Sequence, residues 1–170
     1  MKLELKNIKF YESMSEETNC FQADLFINGK KIASVKNQGQ GGPTDYHVLD
    51  FKNQQILRDA EQFCLSLPKE KIDGMMGDFE FQPTLESRID DLFEAWLKVK
   101  EEKKFLKQME KGIMYGSPNR YQMTYWNNTT LTAVMQNPSG KLRVKQILKD
   151  LIGKGETILN TNIPKEFYPN

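Results

Sequence analysis

The first fifty residues alternate apolar with polar side chains, the period of a strand that buries one face. Leu3 and Leu5 stand between charged neighbours, and Ile8 and Phe10 resume the alternation after a one-residue slip at Asn7. Without compensation such a slip turns the later side chains to the wrong face, so a bulge is expected there. After the polar, turn-like residues 13–19, Phe21, Ala23, Leu25 and Ile27 keep strict period two, with Gln22, Asp24 and Phe26 facing the other way. Asn28-Gly29 follows directly, a dipeptide that predicts a two-residue hairpin because both central residues must take positive φ. The returning strand covers residues 30–37, and beyond the glycine-rich residues 39–43 a fourth strand is expected over 46–51.

From Asn53 the period lengthens. Ile56, Leu57, Ala60, Phe63, Cys64 and Leu67 fall on one helical face, and Pro68 ends the helix. Residues 69–83 hold Gly74, Gly77 and Pro83 among Met75, Met76, Phe79 and Phe81, and read as a linker or flap. Thr84 caps a long amphipathic helix marked by Leu85, Ile89, Leu92, Phe93, Trp96, Phe105, Leu106 and Met109, which Gly112 ends. Two short strands, 113–115 and 121–126, flank a turn at 116–119. Residues 129–136 suit helix or strand equally. Ser139 is expected to cap a helix through Val144, Ile147, Leu148 and Leu151, and residues 156–163 a last strand before Pro164.

These elements predict an α+β fold. An antiparallel sheet of about four strands packs on one helix in residues 1–68, a linker or flap spans 69–83, and a long helix with a helix and hairpin half fills 84–170. The chain has 170 residues, enough to bury its own core without a disulfide or metal staple. With 38% hydrophobic and 28% charged residues it is too apolar for disorder and too polar for a membrane protein. The alternation in the first ten residues is unlike a secretory signal, and a cytoplasmic location is expected. Cys20 and Cys64 lack any CxxC spacing, so they are expected as reduced core residues.

The net charge of +1 conceals an asymmetry. Residues 98–170 carry thirteen Lys or Arg against six Asp or Glu, a balance of +7, which leaves −6 for residues 1–97. Lys100, Lys103, Lys104, Lys107 and Lys111 recur at helical spacing, on a face distinct from the one carrying Phe105, Leu106 and Met109. Arg120, Lys141, Arg143 and Lys145 follow, with Tyr125 and Trp126 between them. Basic residues interleaved with aromatics are what single-stranded nucleic acid requires, cations for phosphates and rings for bases. The same pattern also describes a solvated lysine face beside core aromatics, and both readings stand at this level.

Other chemistry finds less support. The glycines of residues 39–43 lack the Lys-Ser or Lys-Thr of a phosphate-binding loop, though their amides could cradle an anion. His47 is the only histidine, so a histidine-based hydrolase or nuclease would use it with Asp45, taking Ser34 or Thr44 as nucleophile. Glu86, Asp90, Asp91 and Glu94 read as a solvated acidic helix face, with no metal-ligand spacing. No cofactor, metal or catalytic residue is expected.

Two stretches, LFINGKKIASVKNQGQGG (25–42) and GETILNTNIP (155–164), together resemble a set of uncharacterised small phage and prophage proteins with an N-terminal strand hairpin and a long helix. The resemblance covers the ends of the chain better than its middle and brings no catalytic motif. It implies a mobile-element context, in which a small non-enzymatic protein binds and disables host machinery such as a CRISPR effector or another nuclease. The expected partners are therefore a host protein or ribonucleoprotein complex, or single-stranded RNA, and no membrane.

Overall fold

The computed structural model describes residues 1–72 and 79–169. The alternating segments become β1 (Leu3–Phe10), β2 (Phe21–Ile27), β3 (Lys30–Asn37) and β4 (Asp45–Val48), an antiparallel meander in chain order. Asn28 and Gly29 form the expected turn, with φ of 50° and 82°. Lys2 strengthens it, its amide donating to Asn28 Oδ1 at 2.9 Å. Gly29→Val should therefore lower stability by about 1–2 kcal/mol, the cost of holding a β-branched residue in the left-handed region. A thermal melt checks this, and an unchanged midpoint would contradict the turn. Asn7 sits at φ 53°, where the β1–β2 pairing shifts between Lys6 and Lys9, so the slip is absorbed as a bulge.

The inner sheet face buries Phe21, Ala23, Leu25, Ile27, Ala33 and Val35. Two helices cover it: α1 (Gln54–Leu65) with Leu57, Ala60 and Cys64, and the start of α2 (Leu85–Lys111) with Leu85, Ile89 and Phe93. Each Val, Leu, Ile or Phe among them contributes about 1.5–3 kcal/mol by leaving water. Phe93 stacks on Phe21 with centroids 3.9 Å apart. Both cysteines are buried and unpaired, and burial pushes the Cys64 thiol above its usual range.

Three expectations shift. β4 stops at Val48 instead of residue 51, because Asp50 accepts the Lys52 amide at 3.0 Å and turns the chain into a 3-10 turn at Phe51–Asn53. Within residues 69–83, β5 (Glu70–Ile72) and β6 (Phe79–Phe81) pair as an antiparallel hairpin. Gly74, Met75, Met76 and Gly77 lie outside the described residues. The chain divides into compact units Met1–Leu97 and Lys98–Asn170, so the division falls inside α2 and not at 69–83. Leu85, Ile89 and Phe93 are the reason, since they complete the core of the first unit. This is also where the charge changes sign.

In the second unit, β7 (Gly112–Ser117) follows α2 without a loop and pairs with β8 (Arg120–Tyr125). Gly112 permits this because a Cβ there would collide with the Thr124 carbonyl oxygen. Residues 131–136 resolve as helix α3 (Leu131–Gln136), capped by Thr130, whose hydroxyl accepts the Ala133 amide at 3.2 Å. Helix α4 (Pro138–Gly153) is capped by Asn137, not Ser139. Asn137 Oδ1 accepts from the Ser139 amide at 3.0 Å, and Pro138 occupies the first turn, where no N–H is needed. The expected last strand is reduced to a single bridge, Tyr115 to Ile158.

Asn160 explains why that pairing stops. It is buried, accepts the Met114 amide at 2.6 Å, and donates to the Gly112 and Met109 carbonyls at 3.0 and 3.2 Å. Its side chain thus satisfies the end of α2 and the start of β7, where backbone groups lose their helical partners. Around it Ile113, Leu131, Val144, Leu148 and Phe167 form the second core.

Candidate nucleic-acid interface

Lys103, Lys104, Lys107 and Lys111 are all exposed along the last turns of α2, as is Lys100. The opposite side is occupied: Met109 is buried, and Phe105 meets Tyr121 edge-on at 5.7 Å. Leu106, which the apolar pattern includes, is instead 54% exposed. It lies a step further round the helix than Met109, beyond the reach of the β7–β8 hairpin that Phe105 contacts.

The second unit brings part of the basic and aromatic set together. A groove of about 510 Å³ is lined by Gln108 and Lys111 from α2, Tyr125 from β8, and Trp126, Asn127 and Asn128 just beyond it. The two rings differ in kind. Tyr125 is 62% exposed, whereas Trp126 packs against the second core and shows only part of its ring. Gln108, Asn127 and Asn128 were not singled out by sequence reasoning. Only their position beside two aromatics marks them, as amides able to meet a base edge.

The remaining basic candidates are dispersed. Lys141 pairs with Glu166 at 3.0 Å and lies over the Phe167 ring, 5.4 Å from its centroid. Lys145 sits over the same ring at 5.9 Å. These two hold the C-terminal turn Lys165–Phe167 against α4. Arg143 is exposed on the other side of α4, and Arg120 is exposed at the tip of the β7–β8 hairpin.

The alternative centres resolve differently. Thr44 is buried and donates to Asp90 at 2.6 Å, so it is not placed to attack a substrate beside His47. Ser34 Oγ lies 3.5 Å from the main-chain oxygen of His47 rather than on its ring. The glycine loop spends amides internally, Gly39 on Asn37 Oδ1 at 2.8 Å and Gly41 on the Thr18 hydroxyl at 3.2 Å. Buried Asn37 organises this loop as Asn160 organises the second unit, also donating to Thr44 Oγ1 at 3.0 Å. The acidic face of α2 does more than meet solvent. Glu86 accepts the Thr44 amide at 3.0 Å and Glu94 the Asn19 amide group at 2.7 Å, which ties the loops to the helix.

Asp90 carries a cost in this arrangement. Burial holds its carboxyl above the usual range, as do neighbouring Glu86, Asp91 and Glu94, although the Thr44 hydroxyl pulls the other way. A carboxyl raised in the folded state binds its proton more tightly there than in the unfolded chain, so its stability contribution is lost as pH rises. Asp90→Asn keeps an acceptor for Thr44 without the charge. It should raise the melting midpoint at pH 7, and that gain should vanish as pH falls below the ordinary aspartate range near 4. Among the described residues, no group of three or more His, Cys, Asp or Glu is placed to hold a metal ion. Likewise, no helix among them is long and apolar enough to cross a membrane. Comparison with protein-family models, curated proteins and solved structures gives no match for this chain, so its function is argued from its own groove, lysine face and charge.

Proposed function

We propose that this chain works by binding rather than catalysis, and that its second unit is the contact surface for single-stranded RNA, free or within a host ribonucleoprotein. The observation that carries this reading is the groove in which Lys111, the last residue of the lysine face, meets Tyr125 and Trp126. From Lys100 to Lys111 the cations run along about 16 Å of helix and lead into an aromatic platform. Phosphates would follow the lysines, and a base would stack on the exposed face of Tyr125. The phage-type resemblance supports a host defence complex, a CRISPR effector or another nuclease, as the assembly so occupied.

Anisotropy titration of labelled single-stranded RNA at 50 and 200 mM salt tests the reading. Five phosphate contacts would weaken binding roughly 10²-fold across that range, at about 0.7 per contact in the log–log slope. Tyr125→Ala should cost about 1–3 kcal/mol of binding with little change in melting, because the ring is exposed. Trp126→Ala should lower the melting midpoint, because that ring packs on the core. RNA affinity indifferent to salt and to Tyr125→Ala would overturn the assignment. Failure to bind RNA, with inhibition of a target that survives nuclease treatment, would replace it with a protein-only contact.

A further inference from the structure

The outer face of the four-stranded sheet holds a second concavity, of about 350 Å³, unrelated to the RNA reading. Register places two cross-strand rows in it. One runs Lys9, Gln22, Lys36, and the other brings Asp24, Ser34 and His47 side by side on β2, β3 and β4. Lys9 and Lys36 flank Gln22 from either side, so their Cα atoms stand about 10 Å apart. Four-carbon stems from those positions can converge on one oxyanion between them.

The charges around them bear on what this face can hold. The unit as a whole carries −6, and several of its other cations are engaged: Lys2 with Glu4 at 3.1 Å, Lys31 with Asp24 at 2.9 Å, Arg88 with Glu70 and Asp91, and Lys30 on Asn53 Oδ1 at 2.7 Å. Lys9 and Lys36 form no ion pair among the described residues. Asp45, opposite Lys36 in the register, is not within bonding distance of it. Asp24 is already satisfied, since Asn7 also donates to it at 2.7 Å. What lines the hollow is thus two uncommitted ammonium groups, the Gln22 amide, the Ser34 hydroxyl and an exposed imidazole, with no Phe, Tyr or Trp ring.

We propose that this concavity binds a small phosphate monoester of a polyol or sugar, with its phosphate between Lys9 and Lys36 and its hydroxyls on Gln22, Ser34 and His47. Two point charges suit a phosphate, which Lys binds without the planar fork of Arg. The amide and hydroxyl suit a polyol, and the size suits one small molecule.

His47 supplies the test, because a single histidine gives one set of imidazole carbon–proton resonances. Ribose 5-phosphate, ribose, inorganic phosphate and sulfate would be titrated into the full chain at constant pH and ionic strength. Saturable shifts are expected with ribose 5-phosphate, weaker binding with inorganic phosphate, and none with ribose. Lys9→Gln with Lys36→Gln should weaken ribose 5-phosphate at least about ten-fold, the equivalent of one charge-assisted hydrogen bond. Each single variant should weaken it less, and Lys52→Gln should leave it unchanged. Both lysines are exposed, so an unchanged melt should accompany the loss. The site is overturned if ribose 5-phosphate leaves the imidazole unmoved, if sulfate binds as tightly, or if the double variant binds as well as the parent chain. Variants of the α2 lysines should not affect it, so its failure and that of the RNA reading are separable.

Discussion

Reversing Lys103, Lys104 and Lys107 to Glu together should reduce single-stranded RNA affinity by roughly 10²-fold or more and flatten the log–log salt slope by about two units. Each reversal removes one attraction to the phosphates and installs one repulsion, so the effect exceeds that of three alanines. Folding should persist. All three side chains are exposed on the side of α2 away from Phe105 and Met109, and each acidic charge added near a helix C-terminus costs only about 0.3–1 kcal/mol. Circular dichroism and a melt would confirm the fold before binding is read. A triple variant that binds RNA as tightly as the parent, with the same slope, would remove the lysine face from the account.

The largest stability loss is expected at Asn160. Asn160→Leu removes the acceptor of the Met114 amide and the donor to the Gly112 carbonyl, and both are left buried without those partners. Each orphaned group costs about 1–3 kcal/mol, so the second unit should lose about 2–6 kcal/mol. The Met109 carbonyl is protected in part, since Asn162 also donates to it at 3.1 Å. Asn160→Asp separates the two functions of the amide. It retains an acceptor for Met114 but sets a carboxylate against two carbonyl oxygens, and should also destabilise. Denaturant unfolding measures both, and a loss below about 1 kcal/mol for Asn160→Leu would show that another group or water satisfies these atoms.

Asn160 also shows what a one-dimensional reading misses. It lies in the GETILNTNIP stretch, where alternation suggests a strand, yet its partners are 46 to 51 residues earlier. Nothing in local spacing announces a side chain that substitutes for a ladder. Asn37 is a similar case at the glycine loop, which reads as a flexible anion cradle until its amides are seen bonded to Asn37 and Thr18. The charge asymmetry, by contrast, is plain in the sequence, yet the division it accompanies, between Leu97 and Lys98, lies inside α2 and not in the expected 69–83.

The sequence by itself determined the strand meander, the Asn28-Gly29 turn, the Asn7 bulge, the stripe of α1 and the lysine face of α2. Each depends on neighbours within one or two turns, or on the φ angles that one residue type tolerates, so periodicity and turn chemistry suffice. Only the tertiary structure decided that Tyr125 is exposed while Trp126 is packed, that Lys141 and Lys145 are engaged on Phe167, and that Lys9 and Lys36 share a concavity. Adjacent aromatics and scattered lysines look alike along the chain. Their environments differ because packing and strand register bring them against residues far away in sequence, and burial and ion pairing are set there.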